Sequence, residues 1–142
     1  STMGADHTAG YCIATNILKC GGFVDPLSPE GQIELSRNLQ IATAAIDSTG
    51  MCLFIAFAIL DQPETFQALI DMLNAFYGLN LDADGVAELG KKVLTSEREF
   101  NKKAGFTSAH DRLPRYFYSD KLTPHNKVFE VTDKELDSVF NW

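Results

Sequence analysis

Ten consecutive apolar residues, Met51-Cys-Leu-Phe-Ile-Ala-Phe-Ala-Ile-Leu60, constrain this chain more than any other feature of it. A run of that length is too short to span a bilayer as a helix, so no membrane partner is expected. In water it must be covered by the rest of the chain or by a partner. Ala56, Ala58 and Leu60, with helical flanks on both sides, predict a buried helix rather than a strand. The rest of the composition can supply the cover: 142 residues, 45% apolar and 22% charged, make one ordinary core and not a disordered segment. Twelve Lys and Arg against nineteen Asp and Glu leave a net charge of −7, which argues against nucleic acid as a partner. No charged-then-apolar leader is present, so the expected location is cytoplasmic. An odd cysteine count of three suits reduced thiols or a shared metal site better than a disulfide scaffold.

The punctuation on either side of the apolar run is helical. Ser28-Pro29-Glu30 predicts an N-cap with proline in the first turn, and Ile33, Leu35, Leu39, Ile41, Ala42, Ala45 and Ile46 then share one helix side. Asp47-Ser-Thr-Gly50 interrupts that helix. Asp61-Gln-Pro-Glu64 predicts the next start, with Asp61 as cap, and Gly78 its end. Asp82 or Asp84 can cap a further helix with the stripe Val86, Leu89, Val93, Leu94 and Phe100, ending at Gly105. Residues 106–126 lack periodicity and read as an extended segment anchored by Leu113, Tyr116, Phe117 and Tyr118. A short strand over Lys127–Val131 and a capping box at Thr132-Asp-Lys-Glu135 complete the pattern, with the last helix reaching toward Trp142. The expected fold class is all-α: a multihelical domain spanning 1–142, with an irregular extended segment near its C-terminal end.

Few residues announce chemistry by themselves. Asp47 lies at a helix break, followed by Gly50, Met51 and then Cys52 at the predicted start of the apolar helix. A helix N-terminus favours a thiolate, which suits a metal ligand or nucleophile, although a capping Asp47 and a core Cys52 explain the same residues. Cys12 and Cys20 stand too far apart for a short chelating pair. His110 and His125 fall in polar loops, and adjacent Asp111 and Arg112 offer an ion pair of little worth. His7, in the Gly-rich opening Gly4-Ala-Asp-His7, belongs either to a floppy tail or to the middle of a longer chain. No phosphate-binding glycine loop, nucleophile elbow or zinc motif occurs.

Several of these stretches together resemble one family. Asp47-x-x-Gly50-x-Cys52 before an apolar helix is similar to the Asp-x-x-Gly-Leu-Cys motif of the aldehyde ferredoxin oxidoreductases. Leu73-Asn74-Ala75-Phe76-Tyr77-Gly78, then Gly90, then Glu97-Arg98-Glu99-Phe100-Asn101 through Gly105-Phe106, resembles the C-terminal domain of that family. Asp111-Arg-Leu-Pro114 with Phe117 resembles its Asp-x-Leu-Pro-x-Arg-Phe pattern, and Gly4-Ala-Asp-His7 its Gly-x-x-His segment. Met51 departs from the usual Leu, Lys91-Lys92 from Glu-Arg, Lys102-Lys103 from the usual Arg, and Arg115-Tyr116 shifts an Arg by one position.

The resemblance implies an oxidoreductase that converts aldehydes to carboxylic acids at a tungsten (or molybdenum) bis-pterin centre and passes electrons through a 4Fe–4S cluster to ferredoxin. It implies that Asp47, with Gly50 and Met51, belongs to the pterin-binding motif. It also implies Cys52 as the fourth cluster ligand and His7 as an active-site histidine able to move a proton near the metal. The residue types suit those roles: a carboxylate accepts ring N–H groups, a thiolate binds iron, and an imidazole exchanges protons near neutrality. The family's Cys-x-x-Cys-x-x-x-Cys run is not in this sequence, so the chain is expected to be a C-terminal part whose partners include upstream domains of the same polypeptide, ferredoxin and a small aldehyde. Alone it is expected to bind no tungsten or stable cluster and to be inactive. The alternative is a non-enzymatic helical interaction domain that has kept the fold. Apolar surface around Ile13, Ile17, Met51 and Leu53 is expected to lie bare without the upstream domains.

Overall fold

A computed structural model describes all residues, Ser1–Trp142. Seven α-helices build it: α1 (Cys12–Leu18), α2 (Gln32–Ser48), α3 (Ala56–Asp61), α4 (Pro63–Tyr77), α5 (Ala83–Lys103), α6 (Tyr116–Ser119) and α7 (Asp133–Asp137). The expected all-α class holds. The proposed strand at Lys127–Val131 does not form; a lone antiparallel bridge joins Leu122 to Lys127. No helix is long and apolar enough to cross a membrane.

The second helix is the axis of the domain, because its apolar residues supply every layer of the core. Ile46 packs with Ala56, Ile59, Leu69 and Leu73 of α3 and α4. Ala45 packs with Ile70 and Val86, and Ile41 and Ala44 pack with Leu94 of α5. The crossing of α2 and α5 is close enough that a Cβ on Gly90 would stand 2.1 Å from the carbonyl oxygen of Ile41. Helix α2 begins at Gln32, later than Ser28-Pro29-Glu30 predicts. Gly31 has φ 75°, a left-handed conformation that no α-helix can run through, and it separates the proline turn from the helix.

The apolar run divides instead of forming one buried helix. Leu53–Ile55 make a 3-10 turn, and α3 starts only at Ala56. Ala56 and Ile59 enter the core, while Phe54 is 71% exposed. Asp61 closes α3 rather than capping α4, whose N-cap is Gln62 with Pro63 in the first turn. The predicted stop at Gly78 forms, with φ 65° and its N–H donated to the Asn74 carbonyl. The Asn74 side chain then clamps the connection to α5: its Nδ2 donates to the Leu81 carbonyl at 2.9 Å, and its Oδ1 accepts from the Leu81 N–H at 2.7 Å. Asp82 caps α5 by accepting from the Gly85 N–H, as the spacing predicts. The stripe of α5 buries Val86 and Leu94 but leaves Phe100 72% exposed.

Residues beyond α5 wrap the bundle, and two arginines fasten them. Arg37 of α2 donates to the carbonyls of Val139 and Ser138 at 2.8 and 2.7 Å. Arg112 bridges Asp133 and Asp137 at 3.0 and 2.8 Å and donates to the Asp111 carbonyl at 2.9 Å, while the Asp111 carboxylate pairs with Arg98 instead. The Thr132–Glu135 capping box forms, but α7 ends at Asp137, short of Trp142. Between α1, the start of α2 and the wrapped segment lies an apolar groove of about 1060 Å³ whose walls include Ile13, Ile17, Phe117 and Phe129.

Candidate functional site

Asp47, Gly50, Met51 and Cys52 form the stop at the end of α2. Gly50 has φ 76° and donates its N–H to the Asp47 carbonyl at 3.1 Å. A Cβ there would meet nothing within 4 Å, so glycine is needed for the backbone angle and not for space. The hydroxyls of Ser48 and Thr49 donate to the carbonyls of Ala44 and Ile46 at 2.7 and 2.6 Å, adding side-chain bonds to the last turn of the helix. The Met51 N–H donates to Thr49 Oγ1 at 3.3 Å, and the Met51 side chain packs on the Ile46 cluster. Met51 and Leu53 are therefore half-buried, whereas Ile13 and Ile17 are exposed, which trims the bare apolar surface expected from the sequence.

Two side chains in this stop do no work for the fold. Asp47 is exposed in the last turn of α2, where the helix dipole disfavours a carboxylate, and no ion pair offsets it. Cys52 is exposed at an extended position, φ −65° and ψ 135°. Cys52 is the N-cap of the 3-10 turn Leu53–Ile55, its carbonyl accepting from the Ile55 N–H at 3.0 Å, and that turn runs directly into α3, so the residue stands at a helical N-terminus as the sequence predicts. Cys12, by contrast, is half-buried, and burial pushes its thiol above the ordinary value, the condition of an inert packing thiol.

The segment around His7 is tied down rather than trailing. Thr2 is buried: its hydroxyl donates to Glu97 at 3.1 Å, and its carbonyl accepts from Asn101 at 3.1 Å and Arg98 at 3.4 Å. Arg98 also pairs with Asp111, at 2.5 Å. Asp6 Oδ1 accepts from both the N–H and the hydroxyl of Thr8 at 2.9 Å, closing a turn with His7 at its tip. Those bonds hold the Asp6 carboxyl below its ordinary range. His7 itself is exposed, its ring centroid 6.3 Å from that of Tyr11.

A small polar cavity of about 160 Å³ joins these pieces. Its walls include Asp6 and Thr8, which flank His7, together with Asp47 and with Leu53, the neighbour of Cys52. On α2 the lining residues Gln40, Thr43, Ala44 and Asp47 share one face, as spacings of three and four require. The structure thus brings the His7 segment and the Asp47–Cys52 stop to one place, although they are far apart in sequence.

Most of the remaining motif residues have structural work. Asn74 and Gly78 end α4, Gly90 admits α2, and Glu97, Arg98 and Asn101, with Asp111 behind Arg98, clasp the Thr2 turn. The clasp was not foreseen from the sequence; nothing in the pattern of α5 says which distant backbone its polar face will hold. Cys52 offers one exposed thiol, and no three His, Cys, Asp or Glu side chains converge on a metal-sized point. That donor set fits one corner of a cluster completed from outside these residues. An exposed Asp47 carboxylate fits an acceptor for ring N–H groups.

Residues 1–141 match the family model described as aldehyde ferredoxin oxidoreductase, domains 2 and 3. The chain belongs to the aldehyde ferredoxin oxidoreductase family. It is 32% identical over 139 residues to the tungsten-containing aldehyde ferredoxin oxidoreductase of Pyrococcus furiosus, and 31% identical over 140 residues to that of Thermococcus kodakarensis. Each match covers 96% of this chain and 22% of the relative, so the chain spans about a fifth of the length of these aldehyde ferredoxin oxidoreductases. The clasp, the α2–α5 crossing and the α2 stop all lie within the residues that match domains 2 and 3 of the aldehyde ferredoxin oxidoreductase family.

Proposed function

We propose that this chain is the C-terminal part of an enzyme that oxidises aldehydes to carboxylic acids, and that it lines one side of the cofactor pocket. The observation that carries this reading is the shared cavity: the turn bearing His7 and the stop bearing Asp47 and Cys52 meet there, and all three side chains are exposed. When bound, a tungsten (or molybdenum) bis-pterin centre would supply the oxygen-transfer and redox chemistry, with a 4Fe–4S cluster relaying electrons to ferredoxin.

In this reading each residue of the chain has a limited task. Asp47 accepts hydrogen bonds from pterin N–H groups. Gly50 and Met51 shape the loop: Gly50 supplies the left-handed turn, and Met51 anchors it on the core. Cys52 gives one thiolate to the cluster, and the other three ligands come from upstream domains of the same polypeptide. His7, exposed at its turn tip, gives or takes a proton at the oxygen of a small aldehyde. Three free cysteines suit a cytoplasmic, reducing setting. The 142 residues alone are inactive in this reading.

Cys52→Ala in the full-length enzyme tests it. The expected result is loss of the visible absorption of the cluster and of ferredoxin-linked turnover, with the helical fold retained because Cys52 is exposed. A full complement of cluster iron in that variant would overturn the assignment. Anaerobic reconstitution of the 142-residue chain with iron and sulfide should leave it colourless; a stable brown species would count against a cluster shared with upstream domains.

A further inference from the structure

We infer that Tyr11 is a positioning residue for His7, tying the imidazole to the segment that carries Cys52. The inference rests on the reading of His7 as an active-site histidine. It starts from a backbone anomaly. Tyr11 is the N-cap of α1 at φ 42° and ψ 36°, a left-handed conformation that is strained for a bulky L-residue and that Gly or Asn adopts more readily. Its side chain makes no capping hydrogen bond, so α1 gains nothing from a tyrosine there. What the strained backbone does is aim the ring. The Tyr11 ring stands 6.3 Å from the imidazole of His7 and 6.4 Å from the ring of Phe57, and Phe57 stacks on Phe54 at 6.2 Å. Both phenylalanines belong to the run that follows Cys52.

The backbone on each side of His7 is pinned in a way that makes this contact decisive. Before and after it, the Asp6–Thr8 turn fixes the chain. Further on, Gly10 is buried against α2, where a Cβ would stand 3.3 Å from the Ser36 carbonyl oxygen and from Gln40 Cγ. With the backbone held at both ends, the remaining freedom is rotation of the exposed imidazole. The neighbouring Tyr11 ring biases that rotation, because at 6.3 Å and 46° the pair lies within the range in which aromatic rings attract.

The test uses Tyr11→Phe, which keeps the ring, and Tyr11→Asn, which suits the backbone but removes it. Histidine-labelled 142-residue chain is examined by NMR, with His7→Gln assigning the His7 signal among the three histidines. The expected result is a ring-to-ring cross-peak between His7 and residue 11 in wild type and Tyr11→Phe. Tyr11→Asn should lose it and show faster motion of the His7 ring, with helicity unchanged. In the full-length enzyme Tyr11→Asn should lower kcat about tenfold with KM for aldehyde unmoved, and Tyr11→Phe should not. Unchanged His7 ring motion in Tyr11→Asn overturns the inference. Loss of turnover in His7→Gln without any loss in Tyr11→Asn overturns it while sparing the role of His7, and full turnover in His7→Gln overturns both.

Discussion

A Cβ placed on Gly90 would lie 2.1 Å from the carbonyl oxygen of Ile41, closer than any real side-chain carbon comes to a backbone oxygen. Helices α2 and α5 meet there with no room for a methyl group. Gly90→Ala must push the helix backbones apart, because the obstacle is a carbonyl and not the end of a flexible side chain. The intrinsic helix preference for alanine, about 1 kcal/mol, opposes this only in part. Gly90→Ala is expected to lower stability by about 2 kcal/mol or more in denaturant titrations, as overpacking does. Equal or greater stability would show that the crossing is looser than this.

The Arg98 clasp makes a second prediction. Arg98 is paired with Asp111, reaches the Thr2 carbonyl, and lies with its guanidinium 5.2 Å from the Phe140 ring centroid. Arg98→Ala leaves the Asp111 carboxylate without its partner in a largely covered site, at a cost on the order of 2 kcal/mol. The local effect should be larger than the global one. Amide exchange at residues 2–10 should quicken by far more than exchange in α2, and uniform quickening would refute a clasp specific to that segment.

Gly50 and Asp47 should separate stability from function. Gly50→Ala places a side chain at φ 76° and should cost about 1 kcal/mol, whereas Gly50→Asn should cost less. Asp47→Asn removes a charge that opposes the dipole of α2, so it should leave the 142-residue chain as stable or raise its stability by about 0.3–1 kcal/mol. In the full-length enzyme the same change should lower the pterin released on denaturation. Loss of stability with full pterin content would reverse the assigned role.

Acid should loosen two capped turns. Asp6 is held below its ordinary range by the Thr8 N–H and hydroxyl, and Glu135 by the Thr132 hydroxyl and N–H. A carboxyl whose folded pKa is depressed stabilises the fold above its unfolded pKa, and that contribution is lost as pH falls through the folded value. Stability should therefore be flat near neutrality and fall below about pH 4. Asp6→Asn should flatten part of that fall; an unchanged acid limb in Asp6→Asn together with Glu135→Gln would discount both turns.

The elements legible in the sequence are those set by neighbouring residues. The Gly78 stop, the Asp82 cap and the Thr132–Glu135 capping box all form where their spacing predicts, because each is closed by atoms within a few residues. The apolar run from Met51 to Leu60 misled for the opposite reason. Hydrophobicity says that a segment seeks cover, but not which side chains obtain it, and Phe54 remains exposed although Ile59 is buried. Asp47, Gly50, Met51, Cys52 and His7 were recognisable as motif positions, yet the cavity that Asp47 shares with Asp6 and Thr8 was not.

By itself the sequence determined the helical class, several helix ends and the family motifs, since these depend on periodicity and short-range hydrogen bonds. Tertiary structure alone decided that Arg98 and Asn101 hold Thr2, that Gly90 faces Ile41, and that the His7 turn shares a cavity with Asp47. Such pairings join residues distant in the chain. They are selected by how several helices pack at once, a collective balance that no local stretch of sequence encodes.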